Sequence, residues 1–259
     1  MKTRPKIIKS ADAEAVAEKA MDIFAAKAQE SIKRKGSFIF AISGGKTPLR
    51  FFEILGSSPK AAELDWGRTH VFWVDERFVP VDREENNYKG AKELFLDKVD
   101  IPPANVHRIK TELPEAGISA ADYEKELREV FGLGVGEVPS FDLIVLGMGP
   151  DGHTGSLFAG SAAIFETQRL VAPAYFTDER HSRVTLTSHV MKEAKDILII
   201  VTGAEKAPIL QQVFDSEPDV ITWPIHALWP VMDKITWLVD EDAGGQLPRD
   251  IVVEKVESM

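Results

Sequence analysis

The chain has 259 residues, 44% hydrophobic and 28% charged, ordinary values for a globular protein that can bury a substantial core. Lys plus Arg total 31 and Asp plus Glu 41, a formal charge of −10, so the chain lacks the basic footprint that nucleic acid or an anionic membrane requires. The absence of cysteine excludes disulfides, thiolate nucleophiles and cysteine metal sites, and it suits a reducing cytoplasm.

Residues 1–20 (MKTRPKIIKSADAEAVAEKA) lack the continuous apolar core of a signal peptide, and no apolar run approaches the ~18 residues of a membrane span. A cytoplasmic location is therefore expected. After a short lead, the spacing of Val16, Ala20, Ile23 and Phe24 predicts an amphipathic helix over residues 12–35, stopped by Gly36. Its basic end, Lys33-Arg34-Lys35, reads as a solvated cap that complements the helix dipole. Residues 38–42 (FIFAI) form a short buried strand. SGGKTP follows and opens a helix, with Thr47 as N-cap and Pro48 at the first helical position.

A second strand over 70–74 runs into Asp75-Glu76-Arg77. Helices are expected over 86–96 and 119–131, and strands over 141–146, 183–187, 196–201 and 235–239. A helix over about 205–214 follows the strand DILIIV. The loop GLGVGEVP is too short for a domain linker, so residues 1–259 are expected to form a single domain. Short apolar strands alternating with helical patterns predict an α/β fold: a doubly wound, mostly parallel sheet with helices on both faces. Ligands of such sheets bind beyond the carboxyl ends of the strands, and the polar and glycine residues of this chain gather there.

Four strand ends carry candidate chemistry. In Ser43-Gly44-Gly45 the glycines allow positive φ and close approach, so that N–H groups face an anion, and Thr47 adds a hydroxyl. The spacing is not that of a nucleoside-triphosphate loop, and a mere tight turn is the plain alternative. Arg77 can fork onto phosphate or carboxylate oxygens, with Asp75 orienting it or a sugar hydroxyl; the alternative is a surface ion pair with Glu76 or Asp75. Asn86-Asn87-Tyr88 reads as a helix cap. Lys206 sits where a cation opposes the helix dipole, which points to a ligand, and Arg183 is a second candidate cation.

The stretch FDLIVLGMGPDGHTGSLF contains a GxGxxG after a strand, but no helix-forming run follows. Residues 169–173, where the dinucleotide fingerprint wants a strand ending in an acid, hold no acid and no convincing strand. The better reading is Asp151-Gly152-His153, an imidazole able to take a proton from water beside a carboxylate that orients it. A capping Asp and a hydrogen-bonded His are the plain alternative. The other histidines have no partner pattern and read as structural, and Trp223 and Trp229 read as core. No metal-ligand spacing appears.

SGGKTP, WVDERFVP with NNY behind it, GMGPDGHTGSLF, RVTLT and VTGAEKA occur in the order found in 6-phosphogluconolactonases, and the chain resembles that family from Ser43 to Phe214. The resemblance implies a doubly wound α/β fold related to glucosamine-6-phosphate deaminases and, more distantly, ribose-5-phosphate isomerases. It implies hydrolysis of 6-phospho-D-glucono-1,5-lactone to 6-phosphogluconate in the oxidative pentose phosphate pathway. His153 would be the general base, with Asp151 as orienting or substrate-binding carboxylate. Arg77, Lys206, the Ser43-Gly44-Gly45 and Thr47 cradle and, more weakly, Arg183 would hold the phosphate. No metal or organic cofactor is implied, the partner is the small sugar phosphate lactone, and a monomer or small homo-oligomer is expected. Backbone N–H groups near Gly149 or Gly44 are expected to stabilise the oxyanion. Two other readings stand beside it. A glucosamine-6-phosphate deaminase would need an acid shortly after His153, and TGSLFAGSAAI has none. A non-catalytic sugar-phosphate-binding domain could dispense with His153.

Overall fold

The computed structural model describes residues 5–45, 48–178, 180–248 and 251–255. In chain order its strands are β1 Lys6–Ser10, β2 Phe38–Ile42, β3 Thr69–Trp73, β4 Asp75–Arg77, β5 Val106–His107, β6 Leu143–Gly147, β7 Val171–Ala174, β8 Arg183–Leu186, β9 Asp196–Val201, β10 Ile235–Asp240 and β11 Val253–Lys255. An 8-stranded sheet takes the order β11-β1-β10-β9-β6-β2-β3-β5, with each neighbouring pair parallel. β4, β8 and β7 form a separate 3-stranded antiparallel sheet. The helices are α1 Ala13–Lys35, α2 Leu49–Leu55, α3 Pro59–Ala62, α4 Asn87–Leu94, α5 Ala116–Phe131, α6 Ser188–Lys192 and α7 Ala207–Asp215.

Every residue of β2 is buried, the pattern of a strand covered on both faces. Phe38 and Phe40 point to one face, where the Phe24 ring of α1 meets them edge-on at 5.2 and 4.8 Å. The alternate residue Ala41 is in register with Phe72, so Phe72 points to the other face, where Tyr123 of α5 covers it. Helices thus flank both faces, as the pattern predicted. α1 starts at Asp12, whose carboxylate accepts the Ala15 N–H at 2.9 Å, and it ends at Gly36 with φ 84°.

The basic end of α1 is more than a solvated cap. Arg34 and Lys35 reach Asp142 at 3.5 and 2.9 Å, Lys195 reaches it at 2.6 Å, and the carboxylate is buried. Asp142 also accepts the Ile39 N–H at 2.8 Å, so it joins β2 to the segment that enters β6. A buried carboxylate needs such partners, and the charged end of α1 supplies them.

Three strand readings are corrected. Residues 6–10 form β1, although their single Ile7-Ile8 pair is too short to register as a strand pattern. Residues 171–174 form β7, an edge strand where Pro173 is tolerated and hides the signal. RVTLT lies outside the parallel sheet: β8 pairs antiparallel with β4 and β7. The remaining expected elements occur with ends shifted by a few residues, and α7 is preceded by a 3-10 turn over Ala204–Lys206. Among the described residues no helix is long and apolar enough to cross a membrane.

Candidate active site

β2 leads by way of α2 to β3 on one side, whereas β6 leads to β9 on the other, so the order reverses between β2 and β6. A crevice beyond the carboxyl ends of the strands is the expected binding place at such a point. A cleft of about 410 Å³ opens there. Its walls bring together Ser43, Gly44, Gly45, Asp75, Arg77, His153, Arg183 and Lys206. Asp151 is bonded to His153 at its rim. Thr47 lies outside the described residues.

Ser43 ties the two strands at the reversal. Its N–H donates to Val145 O at 2.9 Å, and its Oγ accepts from Gly147 N–H at 3.2 Å. Gly44 is required by close approach, because a Cβ there would fall 1.8 Å from Asn87 Oδ1. Gly45 has φ 106°, a left-handed value as expected for an anion-facing turn. Among the described residues the N–H groups of Gly44 and Gly45 have no hydrogen-bond partner. Pro48 stands at the N-cap of α2 rather than at its first helical position.

Asp75 and Arg77 flank a buried Glu76. Asp75 accepts from Ser156 Oγ at 2.7 Å, and the Arg77 guanidinium donates to Glu85 O at 2.6 Å. Arg77 does not pair with Glu76 at the surface. Glu76 is fully buried and accepts three backbone N–H groups, from Arg77 at 2.8 Å, Asn87 at 2.6 Å and Tyr88 at 2.8 Å. NNY caps α4 through Asn86, which accepts the Lys89 N–H, and it also braces the site, since Asn87 Nδ2 donates to Asp75 O at 2.8 Å.

Arg77 and Arg183 are register partners across β4 and β8. Like charges opposed on one face of a sheet repel, and an anion between them removes the cost. Burial, and then the Arg77 charge, lower the pKa of Arg183. Lys206 donates to Met148 O at 3.1 Å, and burial lowers its pKa as well, against the opposing charges of Glu205 and Asp151.

The loop after β6 is built around one ring. His153 Nδ1 is hydrogen-bonded to Asp151 Oδ1, which fixes the tautomer with Nδ1–H as donor and Nε2 open as acceptor. Burial raises the Asp151 pKa, but the hydrogen bond and charge of His153 outweigh it, and the net shift is downward. Phe158 stacks on the imidazole with centroids 4.0 Å apart. Gly149 leaves the space: a Cβ there would fall 2.1 Å from His153 Cε1 and Nδ1. Its N–H donates to His153 O at 2.8 Å, so of the N–H groups expected near Gly149 or Gly44 to stabilise the oxyanion, this one is already bonded. Gly152 turns the chain at φ 74° against Trp223, and Ile225 N–H donates to Gly152 O at 2.9 Å. Trp223 thus buttresses this loop, while Trp229 packs on Phe214 and Trp237.

This arrangement pairs an oriented imidazole with an anion cradle in one crevice. The family model described as glucosamine-6-phosphate isomerases/6-phosphogluconolactonase matches residues 11–237. The chain belongs to this family. A 6-phosphogluconolactonase of Nostoc sp. is 36% identical over 236 residues, covering 91% of this chain and 95% of that relative. The solved 6-phosphogluconolactonase from Trypanosoma cruzi matches with a TM-score of 0.84 and 27% identity, over 95% of this chain and 98% of that one. A monomeric glucosamine-6-phosphate deaminase, at 19% identity and a TM-score of 0.77 over 93% of this chain and 99% of that one, is alike in fold.

Within this glucosamine-6-phosphate isomerase/6-phosphogluconolactonase framework, the cleft holds groups that sequence reasoning passed over. Phe158, Ser156, Glu205 and Arg180 line it, and Asn87 and Glu76 stand behind it. The strand-end pattern brings up only Glu76 and Glu205, as neighbours of Arg77 and Lys206, and signals none of the others. The other histidines described here by their bonds are structural: His107 bridges His70 at 3.0 Å and Glu126 at 2.7 Å, and His226 donates to Val213 O at 2.8 Å.

Proposed function

We propose that this enzyme hydrolyses 6-phospho-D-glucono-1,5-lactone to 6-phosphogluconate in the oxidative branch of the pentose phosphate pathway. The carrying observation is the Asp151–His153 pair opening into the same cleft as the cross-strand pair Arg77–Arg183. In this mechanism His153 Nε2 takes a proton from water as its oxygen bonds to C1. The carbonyl electron pair moves onto oxygen. The intermediate collapses by breaking the bond between C1 and the ring oxygen, and the imidazolium returns its proton to that oxygen. The product acid then ionises. Asp151 holds the tautomer and offsets the imidazolium charge.

The phosphate sits against the N–H groups of Gly44 and Gly45, with Ser43, Arg77, Arg183 and Lys206 around it. Asp75 takes a sugar hydroxyl. A dianionic sugar phosphate does not cross a bilayer unaided, so the enzyme acts in the compartment that makes it, and the cytoplasm is the proposed one.

The test is proton release on adding fresh lactone, followed by pH-stat with spontaneous hydrolysis subtracted. His153→Ala should lower kcat by ~10²-fold or more. A wild-type rate equal to buffer sinks the lactonase reading, and a variant as fast as wild type removes His153 from the mechanism. Arg183→Met should raise KM by roughly 10- to 100-fold with a smaller change in kcat, since a charge-assisted contact to phosphate serves ground state and transition state alike. An unchanged KM would take Arg183 out of the phosphate site.

A further inference from the structure

We propose that Arg180 recognises the C1 end of the substrate, meeting the negative charge that gathers on the C1 oxygens first as oxyanion and then as product carboxylate. The inference rests on the lactonase reading. Arg180 lines the same cleft as His153, and it lies outside β8 and outside the Arg77–Arg183 register pair. Its guanidinium carbon lies 4.1 Å from the Phe176 ring centroid and 5.2 Å from that of Phe158. Phe158 is the ring that seats His153, and it meets Phe176 edge-on at 5.2 Å. One aromatic platform therefore carries both the imidazole and a cation.

The chemistry of the two ends of the substrate differs. A phosphate is tetrahedral and suits a cradle of N–H groups with surrounding cations, whereas a carboxylate is planar and matches a guanidinium fork. A guanidinium resting on aromatic rings is positioned by its face and keeps its N–H edge for a planar anion. That edge now holds Asp178, with Arg180 Nε 2.9 Å from either carboxylate oxygen. Both side chains of this pair are exposed, so it is weak, and a ligand carboxylate can replace it. The Gly149 N–H does not serve this end, because it is already committed to His153 O.

Two stable ligands separate this role from phosphate binding. 6-Phosphogluconate carries the C1 carboxylate, and D-glucitol 6-phosphate has the same chain with a hydroxymethyl group in its place. Dissociation constants are measured by calorimetry for the wild type, Arg180→Met and Arg180→Lys, alongside the wild-type rate of lactone hydrolysis. Arg180→Met should weaken 6-phosphogluconate about 10- to 100-fold and D-glucitol 6-phosphate by no more than about 2-fold, with part of the loss recovered in Arg180→Lys. Equal weakening of both ligands would make Arg180 a phosphate contact and overturn the proposal, as would no weakening of either. A wild type that binds but does not hydrolyse would overturn the lactonase reading instead, because the binding difference is read without turnover.

Discussion

Gly149→Ala should reduce lactone hydrolysis about as severely as removing His153, by ~10²-fold or more, while the protein stays folded. The added methyl would stand 2.1 Å from two imidazole atoms and 2.8 Å from Asp151 Oδ1, against an ordinary contact of 3.4 Å or more. The ring must therefore move by more than an ångström, and a shift of that size costs on the order of 10²-fold by misplacing the proton acceptor. It also breaks the hydrogen bond that fixes the tautomer. His153 is only partly buried, so the ring can swing outward without opening the core. The measurement is kcat/KM together with Tm: a large loss in the first and a shift of a few degrees in the second is the expected pair. Near-normal turnover would mean that the space at Gly149 is unrelated to catalysis. A collapse in Tm would mean that the methyl damages the fold and not just the ring.

The central sheet and most of its strand ends are legible in the sequence because the interior strands are continuous apolar runs. FIFAI, LIVL and DILIIV can be recognised without partners, and the residues just beyond them fall at the crevice by rule. Ser43, Asp75, Arg77, His153 and Lys206 fall together on that ground alone. The small sheet is hidden for the opposite reason. β4 is three residues of charged sequence, DER, and becomes a strand only through its pairing with β8. Periodicity carries no information about a partner distant in the chain. Arg180 lies in FTDERHSR, where neither spacing nor composition marks one cation above the next; its meaning comes from Phe158 and Phe176, which the fold brings to it. Glu76 is the extreme case, since a carboxylate reads as surface by default and this one is fully buried.

That burial makes the loss of Glu76 costly in stability. Its carboxyl takes the Arg77 N–H in β4 and the Asn87 and Tyr88 N–H groups at the start of α4, so one side chain holds the strand that carries Arg77 to the helix that carries Asn87. Glu76→Ala leaves three backbone donors without that acceptor, at roughly 3–4 kcal/mol, or a fall in Tm on the order of 10 °C for a chain of this size. The pH dependence has a definite sign. Burial, reinforced by the Asp75 charge, pushes the Glu76 carboxyl from 4.5 up to about 8, against the three N–H donors. A group raised on folding contributes stability that is complete below its unfolded value and is lost as pH rises through its folded value. Relative to Glu76→Gln, the wild type should therefore lose stability between about pH 5 and about pH 9, at no more than about 1.4 kcal/mol per pH unit. Denaturant unfolding of both proteins across that range decides it. Profiles that run parallel would show that the three N–H groups hold Glu76 ionised throughout, and a wild type that gains on the variant as pH rises would reverse the sign.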